Sequence, residues 1–314
     1  MDIVITEKYD GVTLLSYLKA TLRISSACIS KLKKDVHGIE VNGKHVTVRY
    51  VLKSGDSLHI NTLDSEDDLN ENILPIHIPL DIIYEDENVI ALNKPPFMPT
   101  HPSHNHYDDT LANGVAYIFK NRNIPFVFRP IGRLDRNTSG IVILAKNLPS
   151  AGHFTRERQN NTLCKSYIAI LCGEINGESG TIDTPIRRMQ ESIITRTVCD
   201  INDTGAADAK TEWKLLYRGQ GISVVRAYPK TGRTHQLRVH FAHIGYPILG
   251  DDLYGEPSEY IDRHALHAYS LSFPLPMSEN IKLLCADIPT DMARAFNKIT
   301  NKNISLYIKE SEDE

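Results

Sequence analysis

Residues 129–146 read Arg-Pro-Ile-Gly-Arg-Leu-Asp-Arg-Asn-Thr-Ser-Gly-Ile-Val-Ile-Leu-Ala-Lys. The polar half, Arg133 to Ser139, holds one carboxylate, Asp135, between Arg133 and Arg136. Gly140 follows, and then the apolar run Ile141 to Ala145, which suits a buried strand. Asp135 is thereby expected on a loop feeding a rigid strand, where reactive groups often sit. An isolated Arg-x-Asp is more simply a surface salt bridge. The rest of the chain decides between the two.

A chain of 314 residues predicts about two domains, and 41% hydrophobic residues suffice for a sizeable core. No apolar run approaches the ~20 residues of a membrane span. The start, Met-Asp-Ile-Val-Ile-Thr-Glu-Lys, lacks a signal-peptide pattern. Cys28, Cys164, Cys172, Cys199 and Cys285 are scattered and odd in number. Free thiols in a reducing cytoplasm are expected, with neither a disulfide nor a zinc framework. The net charge of −4 argues at first against nucleic acid, but its distribution matters more. Residues 1–60 carry +3, 61–78 carry −5, 79–309 carry +2 and 310–314 carry −4. The acidity thus lies in two expected loops, and mildly basic folded parts permit RNA binding through local patches.

The first module spans 1–60. Thr13 is positioned to cap a helix with Leu14, Leu15, Leu18 and Leu22 inward, and Ser25 a second with Cys28, Ile29 and Leu32 inward. Lys31, Lys33 and Lys34 decorate the end of the second helix. Ile39-Glu40-Val41, Asn42-Gly43 and Lys44-His45-Val46 read as a hairpin, since Asn-Gly between alternating residues is a strong turn signal. Two short helices before a small basic hairpin resemble the alpha-L RNA-binding module of a small-subunit ribosomal protein. That resemblance implies phosphate contacts from Lys31, Lys33, Lys34 and Lys44; a solvated helix end is the plainer alternative. Residues 61–78 are acidic and aperiodic and read as a linker. The second module, 79–300, opens with a hairpin at Ile82–Tyr84 and Val89–Leu92. Strands are expected at 165–171, 192–199, 211–217, 222–228 and 281–285, and helices at 148–160 and 233–244. Trp213 and the aromatics around it are read as core. Strands outnumber helices, which predicts an α+β fold with a mainly antiparallel sheet flanked by helices and loops. Residues 301–314 read as an acidic tail.

Five blocks of the second module, between about 80 and 290, occur in an order that resembles the RluA family of RNA pseudouridine synthases. Gly132-Arg133-Leu134-Asp135-Arg136-Asn137-Thr138-Ser139-Gly140 matches that family's His-Arg-Leu-Asp-x-x-Thr-Ser-Gly, except that Gly132 replaces the histidine. The others are Asn93-Lys94-Pro95 with Thr100-His101-Pro102-Ser103, where Pro96-Phe97 replaces a small residue and glycine; Lys165-Ser166-Tyr167-Ile168-Ala169; Pro229 to His240; and Ala265-Leu266-His267-Ala268-Tyr269 before Leu271-Ser272-Phe273-Pro274. The resemblance implies an isomerase with Asp135 as the catalytic carboxylate, Arg238 as the cation beside it and Tyr167 as the active-site aromatic. It implies that Arg133 fills the space of an extruded base, with a phosphate contact as the rival role. Arg136, Lys94, His101, Arg233 and His235 are expected at the RNA.

Isomerising uridine breaks N1–C1′ and forms C5–C1′, without redox change or net hydrolysis. It needs a carboxylate near C1′, and it needs no nucleotide cofactor or metal. The chain lacks Walker A, Gly-x-Gly-x-x-Gly and His-Glu-x-x-His patterns. His101, His104 and His106 with Asp108 and Asp109 are a tempting metal cluster, but loop residues near RNA are the favoured reading. No cofactor, no metal, no membrane and a monomer are expected. Ribosomal RNA of the large subunit is favoured over transfer RNA. Two other classes compete: a non-catalytic RNA-binding or assembly protein on the same fold, and a base-specific RNA glycosidase, which requires a second carboxylate near Asp135.

Overall fold

Asn42 and Gly43 take φ values of 52° and 72°, the left-handed conformation of a two-residue hairpin turn. They join β2 (Ile39–Val41) to β3 (Lys44–His45) in a sheet completed by β1 (Asp2–Val4) and β4 (Ser57–Ile60), in the order β1-β4-β2-β3. The computed structural model describes residues 1–22, 24–61, 72–276, 278 and 280–309. Thr13 caps α1 (Leu14–Ser16), which widens into a π-helical turn at Tyr17–Thr21, and Ser25 caps α2 (Ser26–Leu32). Leu14, Leu18, Leu22, Cys28, Ile29 and Leu32 form one core with Ile39, Val41, Leu58 and Ile60. Leu15, expected inward, is exposed, because it lies about 100° of helix beyond Leu14.

The second module is built on a nine-stranded sheet. Its strands are β5 (Asp81–Glu85), β6 (Val89–Lys94), β7 (Ser139–Ala145), β8 (Cys164–Cys172), β9 (Ser179–Asp183), β12 (Lys210–Gly219), β13 (Ile222–Pro229), β14 (Leu266–Pro274) and β15 (Ile281–Cys285). The order is β5-β6-β7-β14-β8-β13-β12-β9, with β15 also on β14. A separate hairpin pairs β10 (Ile186–Arg188) with β11 (Arg196–Val198). The helices are α3 (Leu111–Asn121), α4 (Leu148–Gln159), α5 (Gln236–His243), α6 (Thr290–Thr300) and α7 (Ile304–Lys309). The sheet is mainly antiparallel, with a short parallel pairing of β7 and β14, as an α+β fold requires. Trp213 is buried in the core, its indole against Gly180. None of the five cysteines is in a disulfide. Among the described residues no helix is long and apolar enough to cross a membrane.

Two expected loops are partly structured. Of the linker, 62–71 lie outside the described residues, but its end is docked. The Asn113 side chain of α3 donates to Leu74 O at 2.8 Å, and Ile76 N–H donates to Asn113 O at 3.2 Å. The expected tail begins with α7, whose Ile304 and Ile308 are buried in the main core beside Met292 and Phe296 of α6. Two apolar residues at i and i+4 share a helix face, and that face needed a partner. Residues 310–314 lie outside the described residues.

The Thr-Ser-Gly that ends the Asp135 block clasps β7 to β14. Thr138 Oγ1 meets His264 Nε2 at 2.8 Å, and Ser139 Oγ meets His267 Nδ1 at 2.9 Å. Gly140 takes φ 111°, and a Cβ there would lie 2.2 Å from Ala268 O. His267 Nε2 donates to Ala286 O at 3.2 Å, so Nδ1 accepts from the Ser139 hydroxyl and the ring is neutral. Burial lowers His267 to about 4 and His264 to about 3. The unfolded chain takes up these protons first as pH falls below the ordinary histidine value, so stability is complete above about 6.5 and drains toward pH 4. The His267 shift alone is worth about 3 kcal/mol by this linkage. Urea midpoints measured from pH 7 to 4.5 should therefore fall less steeply in His267→Gln than in the native protein; parallel curves would refute the assignment.

Candidate active site

The Asp135 loop is held by its backbone. Thr100 Oγ1 donates to Leu134 O at 3.1 Å, Thr138 N–H to Asp135 O at 3.1 Å, Lys94 Nζ to Arg136 O at 3.1 Å and Arg263 Nη1 to Asn137 O at 3.0 Å. Four successive carbonyls thus each have a donor. Lys94 also donates to Pro95 O and Met98 O, at 2.9 and 2.8 Å. Three acceptors match the three N–H bonds of an ammonium, although burial pushes Lys94 down to about 7 against the pull of Asp135. The sequence places Lys94 at the RNA. The structure instead buries it fully and spends its donors on the protein's own carbonyls. Arg263 adds Ser139 Oγ, His264 O and Leu266 O, and grips Asp291 through Nε and Nη2 at 2.7 and 3.0 Å.

The Asp135 side chain is 29% exposed, and His235 Nε2 lies 4.0 Å from its Oδ1, a contact that is ionic only when the imidazole is protonated. His235 adopts a left-handed φ of 57° just before α5, and its Nδ1 meets the Tyr254 hydroxyl at 2.8 Å. Burial lowers His235, with Asp135 opposing. The resemblance puts Arg238 beside Asp135. The structure gives its fork to Asp251 instead, with Nε–Oδ2 at 2.7 Å and Nη2–Oδ1 at 2.6 Å. A planar guanidinium and a carboxylate match two bonds at once, and Asp251 is fully buried with it. The Arg238 guanidinium also lies 5.0 Å from the Tyr254 ring centroid. Burial opposes its charge, but Asp251 more than compensates and Asp135 adds further, so Arg238 stays above its ordinary value. Asp135 is therefore in Arg238's field without being its ion-pair partner.

Tyr167 projects from β8 toward this cluster. Burial, and then the Asp135 charge, hold its hydroxyl well above the ordinary tyrosine value. Arg133 and Arg136 are exposed on either side of Asp135, and Arg233 is exposed with Nε donating to Asp208 O at 2.8 Å. His101 is half-buried, edge-on to Phe128; burial and then Arg133 lower it. His106 pairs with Asp109 at 2.7 Å, and among the described residues no cluster is set for a metal ion. Phe97, which stands where the resemblance anticipates a glycine, takes φ 64° and is 46% exposed. Lys31, Lys33, Lys34 and Lys44 are all exposed, on α2, just beyond it and on β3. Asp251, Tyr254 and Arg263 escaped sequence reasoning. Gly250 and Gly255 flank two acids and a tyrosine, which marks a turn, but nothing in the spacing joins that turn to Arg238.

Residues 88–243 match the family described as RNA pseudouridylate synthase. The uncharacterised RNA pseudouridine synthase YjbO of Bacillus subtilis is 35% identical over 273 residues, covering 87% of this chain and 94% of its own. The ribosomal large subunit pseudouridine synthase D of Borreliella burgdorferi is 32% identical over 283 residues, covering 88% and 85%. Among solved structures, human RNA pseudouridylate synthase domain containing 1 gives a TM-score of 0.58 at 27% identity, over 74% of this chain and 94% of that one. Identity of 35% that runs along nearly the whole of both chains makes this chain an isomerase of the RNA pseudouridine synthase family.

Proposed function

We propose that the chain converts uridine to pseudouridine in structured RNA of the large ribosomal subunit, with Asp135 acting at C1′. The observation that carries this reading is a partly exposed carboxylate on a loop whose carbonyls from 134 to 137 are all bonded. Such a carboxylate is pre-positioned and gives up little freedom when it engages a sugar carbon. Asp135 assists departure of N1 from C1′, the uracil turns within the site, and C5 then bonds C1′. The proton on C5 must leave and N1 must gain one, so atoms balance without an added reagent. Tyr167 is a neutral phenol, held so by burial and Asp135. It stacks on the base and relays the C5 proton, since phenolate formation beside Asp135 is unfavourable. Arg238, fixed by Asp251, adds positive potential at Asp135. Arg133 takes the place of the extruded base or a phosphate beside it.

The choice of ribosomal RNA rests on relatives bearing the large-subunit name and on the basic first module, read as an alpha-L anchor. Transfer RNA is the second reading, since an anchor for structured RNA serves both. Mapping pseudouridine across total RNA with and without this gene separates them.

Asp135→Asn should lower pseudouridine formation by roughly 10²–10⁴-fold while leaving RNA affinity and the urea midpoint near native. Turnover within tenfold of native would remove Asp135 from the reaction. Tyr167→Phe keeps the ring and removes the hydroxyl. It should bind RNA normally and accumulate a species cleaved at N1–C1′, detectable by mass spectrometry of digested RNA; full activity would leave Tyr167 only a stacking role. The first module is tested by converting Lys31, Lys33, Lys34 and Lys44 together to Gln. Deletion is less suitable, because Leu148 of α4 packs on that module's core. The quadruple variant should show a higher KM on ribosomal RNA and a shallower salt slope, by about 0.7–0.9 for each phosphate no longer neutralised, with a smaller change in kcat. An unaltered salt slope would make the module a structural element.

A further inference from the structure

Gly132 is the position at which this chain departs from the pattern around Asp135, and its surroundings show what the departure permits. A Cβ built on Gly132 would lie 2.6 Å from Lys165 Nζ. The ammonium therefore sits where a side chain at 132 would begin. Lys165 lies two residues before Tyr167 on β8, so both project from one face of the strand. Gly132 in turn lies three residues before Asp135.

Lys165 is half-buried, yet its Nζ has no hydrogen-bond or ion-pair partner among the described residues. Its charged neighbour is another cation, Arg158, on the last turn of α4. Burial first, and then Arg158, lower Lys165 to about 8. Arg158 Nη2 lies 3.9 Å from the Cβ position of Gly232, three residues before His235. Two cations thus stand over two glycines, one on each of the loops that bring Asp135 and His235 together. Like charges within each other's field are destabilising, and a half-buried one with no acid partner among the described residues more so. An anion would relieve both.

We infer that Lys165 and Arg158 form a seat for an RNA phosphodiester next to the target uridine, and that Gly132 keeps the seat open. This rests on the reading of the Asp135 site as the uridine site. One phosphate oxygen accepts from Lys165 Nζ and a second from the Arg158 guanidinium, a charge-assisted arrangement suited to a tetrahedral anion. The phosphodiester lies on the Tyr167 face, so the seat fixes the backbone while the base turns into the site. A side chain at 132 would push the ammonium away from this place.

The test uses the full-length protein with a single-stranded oligouridylate, its Kd measured by fluorescence anisotropy over a potassium chloride series. Lys165→Met should weaken binding about tenfold and flatten the salt slope by about 0.7, the change for one phosphate fewer neutralised on a single strand. Lys165→Arg should restore both. Gly132→His, which fills the space and leaves both cations in the chain, should resemble Lys165→Met. In parallel, the Lys165 side-chain resonance of isotopically labelled protein is followed while inorganic phosphate is added, and the lysine pKa should rise. Unchanged Kd and salt slope in Lys165→Met would overturn the seat. So would a collapse of kcat with KM unmoved, which would make Lys165 a participant in the reaction. If the seat behaves as expected but native protein forms no pseudouridine in any cellular RNA, the seat stands and the uridine reading fails.

Discussion

Arg263 is the knot on which the site depends. Its side chain is fully buried and binds three parts of the fold at once: Asn137 O and Ser139 Oγ at the start of β7, His264 O and Leu266 O at the start of β14, and Asp291 on α6. A guanidinium out of water is costly unless its donors are satisfied and its charge is paired. Here Asp291 provides the charge, and three carbonyls and the Ser139 hydroxyl take the remaining donors. The consequence is geometric. The two strands that flank the site cannot shift relative to one another without breaking a buried charge network, for which the scale is roughly 3–5 kcal/mol when one partner is removed.

On this frame the electrostatics divide into a closed pair and an open group. Asp251 and Arg238 satisfy each other with two short bonds, and further Asp251 bonds come from the backbone of Leu253 and Tyr254. Asp135 is left with His235 at 4.0 Å, a weak contact beside a bidentate pair. A second carboxylate is therefore present near Asp135, as a glycosidase reading required, but it is engaged by Arg238 and fully buried. It is not free to hold an attacking water. The arrangement favours an isomerase, which needs one available carboxylate, over a hydrolase, which needs two.

Rigidity is supplied from outside the site as well. Lys94 bonds the carbonyls of Pro95, Met98 and Arg136, joining the turn after β6 to the Asp135 loop. The same turn carries Phe97 in a left-handed conformation, strained for a bulky residue. Asn113 ties the chain before β5 to α3. α6 and α7 pack on β12 through Phe296 and Tyr307, whose rings meet Tyr217 edge-on at 5.0 and 4.9 Å between centroids. The attachments of Leu74 to Asn113 and of Ile304 and Ile308 to the main core join groups far apart in sequence, which is why these described ends of the linker and tail read as loops in the sequence.

Much of this was legible in residue order. The run Ile141–Ala145 specified a buried strand, Asn42-Gly43 specified its hairpin, and Thr13 and Ser25 marked helix starts, because strands, turns and caps are decided by neighbours in the chain. Asp135 could be singled out for the same reason, through the block around it. The partners of Arg238 and the duty of Lys94 could not. A cation's mate depends on which acid the fold brings within hydrogen-bond reach, and Asp251 competes with Asp135 only once α5 and the turn after it are packed together. Lys94 read as an RNA contact because exposure is invisible in sequence, whereas burial turned its ammonium inward onto three carbonyls. The sequence by itself determined which residues carry charge and where several strands, turns and caps lie, because these are decided by neighbours in the chain; tertiary structure alone decided which charges are spent on holding the site and which stay exposed, because that depends on what the fold brings within hydrogen-bond reach.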